Sequence, residues 1–420
     1  MQKPVTQPAA ATSASRPFWV VMLAASVLVG AAMGLRQVMG LFLEPVTTGV
    51  KVGVEPFSNS MAIANLVWGA GSIVAGAVAD KYGAGRVIVA SLLATMAGLY
   101  WMATARTGLP IDLYVSGVLL GIGVSGTGVT ALVGAIGRAA PANRRTQAIA
   151  SLGMASGIGS LLAFPYTHLL MELLGWQATL LVLTGTAAVL LPLAWPMSGK
   201  PMANSQIKSQ TLMEAFAEAF RLPSFWLLTG GFFVCGFHVT FYGVHLPKFV
   251  ADNALPKWVG VAALTAVGVA NIVGTYLAGR SGAFVAKHIG LSIIYFMRCF
   301  VFLGLLFLPI NAWTVIGLSI MLGLFWLSTV PLTSTLVSTF FGTTWMSMLF
   351  GFVFFSHQLG SGLGLFLAGR LYDLHTGPAK DAYDAMWWIS IALGLFAALV
   401  HLPIREKPVP RIVAQAAVAR

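Results

Sequence analysis

Two arginines lie inside long apolar stretches of this 420-residue chain, Arg36 in the first stretch and Arg298 in a later one. A guanidinium keeps its proton at physiological pH, and in an apolar medium it is unfavourable unless it contacts water, an opposite charge or a ligand. The sequence therefore predicts that Arg36 binds an anion. The alternative is that Arg36 extends to the outer interface or pairs with Glu44. For Arg298 two interpretations stay open, a second anion contact or the capping of backbone carbonyls.

Histidines supply the other candidate chemistry. His238, Tyr242 and His245 are spaced i, i+4 and i+7, so they share one face of a helix and predict a binding wall. His357 and Gln358 form a second polar pair in a later apolar stretch. An imidazole titrates near neutral pH and can carry a proton, but a buried histidine bonded to a carbonyl is the alternative for each.

Carboxylates are absent from the middle of the apolar stretches; they lie near their ends or between them, as Glu44 and Asp384 do. A coupled proton would then be carried by a histidine, by Glu44 or by a carboxylate of the solute itself. Cys235 and Cys299 lie in apolar sequence and predict buried core positions. Neither a nucleophile with its base nor a metal-ligand spacing is present, so we expect no enzyme, no metal and no cofactor.

The elements that must position these residues are membrane-spanning helices. Hydrophobic residues make up 58% of the chain and charged residues 9%, and apolar runs long enough to cross a bilayer recur between short polar breaks. The predicted fold is an all-α membrane protein of about twelve spans, at 18–43, 57–79, 86–105, 111–137, 146–170, 176–197, 224–250, 258–279, 288–308, 312–338, 345–370 and 384–403.

The long polar break at 198–223 divides the chain into two six-helix halves, 18–197 and 224–403, with tails at 1–17 and 404–420. It contains an amphipathic patch around residues 214–220. With both termini on one side, sixteen of the 24 Lys and Arg residues lie on that side and six opposite. The positive-inside rule then predicts cytoplasmic termini, in an inner membrane. The basic residues, at a net charge of +12, are spread over short loops, so we expect no nucleic-acid partner.

A loop motif lies between the second and third predicted spans. The sequence GAVADKYGAGR at 76–86 resembles the signature G-x-x-x-D-(R/K)-x-G of the major facilitator superfamily, in which the Asp caps a helix and pairs across a gate. Asp80, Lys81 and Arg86 match, whereas Ala84 and Gly85 stand where a further basic residue is common. The resemblance implies gating roles for Asp80, Lys81 and Arg86.

A second resemblance narrows the group. The stretch NRRTQAIASLGMASGIG at 143–159 is similar to the loop and fifth helix of the monocarboxylate and oxalate porters, which adds Arg144 and Arg145 to the gating residues. Arg36 stands where those porters carry a substrate-contacting Lys. In their eighth helix these porters usually carry an Arg, and often an Asp, but here the polar positions are Asn271 and Thr275.

Taken together, the resemblance and the residues predict a secondary transporter of a small organic anion, monocarboxylate-like, working by alternating access with a proton as coupling ion. The substrate-binding residues would be Arg36, His238, Tyr242, His245, Asn271, Arg298, His357 and Gln358. The expected partners are the anion, the proton and the bilayer, with the protein a monomer. The alternative is an exporter of hydrophobic or cationic compounds by proton antiport, which the 11% aromatic content would suit.

One tempting motif is rejected. The sequence GIGVSG at 121–126 has the spacing of a dinucleotide-binding loop, but it lies inside an apolar span and follows no strand. It predicts close helix packing instead.

Overall fold

A computed structural model describes residues 17–128, 132, 136, 145–198, 211–282, 284–342 and 345–412. Within these ranges the chain is helical and has no strand. The predicted tail at 1–16, most of the central loop (199–210) and the last residues lie outside the described ranges. The α-helices are α1 Phe18–Gln37, α2 Leu43–Val50, α3 Val54–Tyr82, α4 Ala84–Ala103, α5 Pro110–Thr127, α6 Arg145–Val189, α7 Leu212–Phe220, α8 Pro223–Asp252, α9 Lys257–Ser281, α10 Lys287–Phe307, α11 Ala312–Leu324, α12 Thr329–Phe341, α13 Met346–Leu374 and α14 Asp384–His401.

The helical architecture follows from the apolar sequence, because backbone N–H and C=O groups in a bilayer must be paired within the protein. Ten stretches of the described residues are long and apolar enough to span a membrane. One of them, Met154–Ala194, contains two helices that meet at Gly175, where φ is 77°. Helix α3 adds another 29 residues of helix. The described helices therefore agree with the predicted twelve spans.

Two spans are not continuous α-helices. The first changes to a 3₁₀ helix at Val38–Phe42, directly after α1, and continues as α2. The tenth, predicted as one helix over 312–338, is divided into α11 and α12 by a break at residues 325–328. A change of helix type within a span is common at functional hinges. Both interruptions lie beside the cavities described below.

The predicted amphipathic patch in the central loop forms α7. Its first turn is fixed by a capping box, in which Thr211 N donates to the Glu214 carboxylate (2.7 Å) and Glu214 N donates to Thr211 Oγ1 (3.3 Å). The hydrogen bond from the Thr211 backbone holds the pKa of Glu214 below its usual value. The capping box formed by Thr211 and Glu214 therefore determines where α7 begins.

Small residues allow the closest helix contacts. A side chain at Gly121 would overlap Ala64 O, and one at Gly126 would overlap Ser91 Oγ, so the 121–126 motif packs helices as predicted. Between the first and fifth spans, Gly159 lies directly against the backbone of Gly30. These two helices approach each other at van der Waals contact without any intervening side chain.

We predict that Gly159→Ala destabilises the protein by about 1–3 kcal/mol, because the added methyl group would overlap the Gly30 backbone. Thermal unfolding of the detergent-purified variant measures the effect. Gly185→Ala, in the helix that follows Gly175, is the control, since its Cβ would meet no described atom within 4 Å. Equal unfolding temperatures for the two variants would contradict the packing described for Gly30 and Gly159.

Candidate functional site

Arg36 lies in the last turn of α1, one residue before the first span changes helix type. Its Nη2 donates to Asn65 Oδ1 on α3 at 3.0 Å, and the guanidinium lies over the Trp68 ring, 4.8 Å from its centroid. Asn65 is itself held in place, because its Nδ2 donates to Met61 O. The predicted alternative partner, Glu44, is not among the contacts of Arg36.

A cavity of about 60 Å³ lies against this guanidinium. Its walls come from both halves of the chain: the first four spans contribute most of them, the sixth contributes Leu190, and α8 contributes Val239, Thr240, Gly243 and Val244. Arg36 is the charged residue among the described lining residues, and none of them is acidic. The indole N–H of Trp68 is buried and has no hydrogen-bond partner among the described residues. The cavity therefore offers one positive charge, that of Arg36, on its described walls.

The face predicted on the seventh span has other partners. His238 Nε2 and Ser390 O on α14 are hydrogen-bonded (2.8 Å), and the Tyr242 hydroxyl pairs with Ser319 Oγ at 2.7 Å. Both side chains are fully buried and line neither this cavity nor the second one, described below. The structure places them in the packing of the second half.

Arg298 is fully buried and contacts the break in the tenth span. Its Nε and Nη2 donate to Phe325 O (3.1 and 2.6 Å), and Nη2 also donates to Trp326 O at 2.7 Å. These carbonyls lie at the C-terminal end of α11, which carries the negative end of the helix dipole. The geometry thus places Arg298 on backbone carbonyls, outside both cavities.

The pair on the eleventh span contacts mainly its own half. His357 Nδ1 and Gln358 Oε1 are 3.0 Å apart, and the imidazole stacks on Phe354. Gln358 also packs against Gly69 of α3, where a side chain at position 69 would lie 2.9 Å from its Cβ. Neither residue lines a described cavity.

The predicted gating residues lie at helix ends. Asp80 and Lys81 are in the last turn of α3, but their side chains, like that of Arg145, lie outside the described parts of the structure. Arg144 lies outside the described residues altogether, and Arg86 is exposed in the first turn of α4. Gly83 joins the two helices with φ 94°, a conformation that favours glycine, so the motif forms the tight turn that was predicted.

The two halves are joined at one end of the bundle, called here the closed end. The N–H groups of Val54 and Glu55 donate to the Asp373 carboxylate at 2.9 and 2.8 Å, so Asp373 caps α3 from the opposite half. Arg370 pairs with Glu55 (3.2 Å). His245 extends this set of contacts, as its Nε2 is 3.1 Å from Ser58 Oγ and its Nδ1 is 3.0 Å from the Tyr383 hydroxyl.

Helix α3, which carries Glu55, and helix α13, which carries Asp373, lose contact toward the other end of the bundle, called here the open end. Antiparallel contacts between α3 and α13 run from Ser58 and Gly369 to Gly69 and Gln358. Gly76 and Gly351 each lie seven residues further on the same faces, yet a Cβ at either would meet nothing within 4 Å. Among the described residues, α3 and α13 are thus packed together at the closed end, and their contacts stop before Gly76 and Gly351 at the open end.

Sequence reasoning did not find Asn65, Trp68 or Asp373. Asn65 and Trp68 are three residues apart, so they lie on one face of α3, and a polar side chain inside an apolar span was the available signal. Asp373 gave no local signal, because the helix it caps is more than three hundred residues away in sequence.

Two halves of membrane-spanning helices, joined at one end around an internal cationic cavity, define a membrane transport protein. The comparisons with known proteins agree: the model of the Major Facilitator Superfamily matches residues 22–365. The chain belongs to this family, and it is a multi-pass membrane protein of a transporter family.

Similar sequences come from several kinds of transporter. The chain is 25% identical to the MFS-type transporter YhjX of Escherichia coli (strain K12), over 82% of this chain and 86% of that protein. It is 32% identical to Monocarboxylate transporter 11 of Mus musculus, but the match covers 44% of this chain and only 42% of that protein. A probable sugar efflux transporter of Helicobacter pylori (strain G27) is 26% identical, over 56% of this chain and 63% of that protein.

Solved structures share the fold. A D-xylose-proton symporter superposes with a TM-score of 0.72 at 16% identity, covering 93% of this chain and 99% of that one. A bacterial homolog of the human lysosomal transporter Spinster, in an inward-facing and unoccupied conformation, gives 0.69 at 14% identity, covering 96% of each chain. At such identities the likeness establishes the fold alone.

We predict that cysteines at Gly76 and Gly351 react with a maleimide at least about tenfold faster than a cysteine at Ser361, which is fully buried on α13. The background carries Cys235→Ser and Cys299→Ser, since both native cysteines are buried and free. Alkylation rates of the purified protein measure this. Slow labelling at both glycine positions would mean that the open end is closed in solution.

Proposed function

We propose that this protein is a secondary transporter of a small organic anion, monocarboxylate-like, and that Arg36 binds the carboxylate. The observation that carries the proposal is the composition of the Arg36 cavity. Arg36 has one hydrogen bond to the described protein, to a neutral amide, and the cavity lining that the structure describes has no acidic side chain. Its remaining N–H groups are donors that a carboxylate would accept from.

Alternating access follows from the difference between the two ends of the bundle. By the positive-inside rule we propose that the closed end faces outward and the open end faces the cytoplasm of an inner membrane, which would make this an inward-facing state. Opening the closed end would break the Asp373 cap, the pair between Glu55 and Arg370, and the contact between Ser58 and His245. We propose that these contacts, and the loop at Asp80 to Arg86 at the other end, form the two gates.

An exporter of cations is disfavoured by the same cavity. A cationic solute beside Arg36 would meet a like charge, and the described lining has no carboxylate to offset it. An uncharged sugar, as handled by the efflux and symport proteins named above, would leave the guanidinium without a counter-charge. The anion remains the solute that fits the charge of the site.

The direct test replaces Arg36 with Gln. We expect binding of short monocarboxylates such as propionate to be lost by about a hundredfold or more, because the carboxylate loses its charged hydrogen-bond donor. Equilibrium binding to the purified protein, measured by calorimetry, checks this, together with uptake into proteoliposomes. Arg280→Gln is the control, since Arg280 is exposed in the last turn of α9 and lines neither cavity.

The unfolding temperature separates a binding effect from a folding defect. Because Arg36 has no acidic partner among the described residues, Arg36→Gln is expected to keep the wild-type value within a few degrees. Unchanged affinity for every acid in the Arg36→Gln variant would refute the assignment, and so would a wild type that binds no carboxylate.

Proton coupling is the second part of the proposal. Of His238, His245 and His357, His245 is the one whose ring is hydrogen-bonded across the two halves, to Ser58, so its protonation would act on the closed end directly. We expect uptake to increase as the external pH falls from about 7.5 to 5.5, because more protons are then available to enter with the anion. His245→Gln should flatten this increase and keep substrate exchange in the absence of a pH gradient.

The control for the pH profile is His375→Gln, on an exposed turn. If the His245 variant kept the full pH dependence, the proton would enter with the solute or through Glu44. A wild type that responds neither to pH nor to an uncoupler would leave a facilitator or an anion exchanger built on the same Arg36 site.

A further inference from the structure

A second cavity, of about 50 Å³, lies where the halves meet on the other side of the first span. The fifth span contributes Ser156 and Ser160, the eighth contributes Asn271, and the break in the tenth contributes Trp326. All of its described lining residues are uncharged. It is therefore a neutral, partly polar space, unlike the Arg36 cavity.

The orientation of Asn271 in this cavity is fixed by its neighbours. Its Oδ1 accepts hydrogen bonds from Leu327 N (2.9 Å), inside the helix break, and from Thr275 Oγ1 (3.2 Å). Because a backbone N–H can only donate, the oxygen of the amide must face the break. The Nδ2 group makes no hydrogen bond to the described protein and is the atom left for a ligand.

Gln37 is a lining residue that the two cavities share. It directly follows Arg36 in sequence, and its amide makes no hydrogen bond to a described residue. The Gln37 amide, in the wall shared by the two cavities, and Asn271 Nδ2 are thus polar groups of the second cavity without a hydrogen bond to the described protein. A solute that fills both cavities would contact the first, second, fifth and eighth spans together.

The uncharged lining of the second cavity indicates which chemical group such a solute carries at the end away from Arg36. A second carboxylate would be desolvated beside uncharged side chains, which is unfavourable without a cation. A purely apolar end would leave the Asn271 and Gln37 amides without partners. A neutral group that accepts a hydrogen bond, such as a carboxamide, satisfies both conditions.

We propose that the second cavity is a neutral hydrogen-bonding subsite for the solute whose carboxylate binds Arg36. The substrate class is then a monoanion with an uncharged polar end, bound by Asn271 and Gln37, and dicarboxylates and simple fatty acids are excluded. This inference rests on the proposed function, because it needs the carboxylate to bind at Arg36.

The test uses ligands of matched size on the purified full-length protein. Succinamate, succinate and 4-methylpentanoate share a four-carbon backbone with branched ends of similar size that are an amide, a carboxylate and an isopropyl group. Malonamate and glutaramate, each with its dicarboxylate, vary the length. Calorimetry is expected to give the best amide an affinity at least about tenfold above its matched dicarboxylate and apolar acid.

Asn271→Asp tests the residue, because it keeps an acceptor for Leu327 N and replaces the free donor by a carboxylate oxygen. The readout is 4-oxopentanoate, which has the shape of 4-methylpentanoate but a ketone oxygen that only accepts: its advantage over 4-methylpentanoate in the wild type is expected to disappear, whereas propionate binding falls less than about threefold. Asn253→Asp is the matched control, since Asn253 lies at the end of α8 outside both cavities.

The outcomes separate the two proposals. Propionate binding that Arg36→Gln abolishes, combined with equal affinity for amide, dicarboxylate and apolar acid, would overturn the neutral subsite and leave the proposed function standing. A preference for 4-oxopentanoate over 4-methylpentanoate retained in a folded Asn271→Asp variant would also overturn it. Absence of any Arg36-dependent carboxylate binding would overturn the proposed function, and the subsite with it. Should Asn271→Asp not fold, the ligand series on the wild type still decides.

Discussion

A guanidinium in an apolar interior must be given hydrogen-bond acceptors, and Arg36 and Arg298, which both lie inside membrane spans, meet that requirement in different ways. Arg298 is surrounded by carbonyls of its own chain, at the point where the tenth span is broken. Arg36 has a single amide oxygen and otherwise faces a cavity. One arginine therefore stabilises a backbone irregularity, and the other is left for a ligand. Because both arginines lie inside membrane spans, the difference between them comes from the number of hydrogen-bond acceptors that the surrounding protein provides.

The break at residues 325–328 shows how irregular backbone is tolerated at this depth. Arg298 binds Phe325 O and Trp326 O from the ninth span, and Asn271 accepts from Leu327 N from the eighth. Unpaired backbone groups in a bilayer are costly, so two neighbouring helices take up the groups that the break releases. The same contacts fix Trp326 and Asn271 as walls of the second cavity, which links the stability of the break to the shape of the site.

The sequence was sufficient for the fold because its physical causes are local. Span length, the positions of charged residues and the tight turn at Gly83 can all be read without knowing which helices touch. The binding residues were harder to predict. Arg36 and Asn271 could be identified as polar groups inside spans, whereas i, i+4 spacing placed His238 and Tyr242 on one face without saying which helix that face would meet. Their partners, Ser390 and Ser319, come from spans far along the chain.

The geometry of the first span connects the site to the interface between the halves. Directly after Arg36 and Gln37 the helix tightens into the 3₁₀ segment Val38–Phe42, and within it Gly40 lies against the backbone of Gly243 and Val244 in the opposite half. A side chain at position 40 would overlap Gly243 O, so this contact requires glycine. A solute held by Arg36 and Gln37 would thus bind one turn from a backbone contact between the halves, where a small rotation of the first span alters the cavity and that contact together.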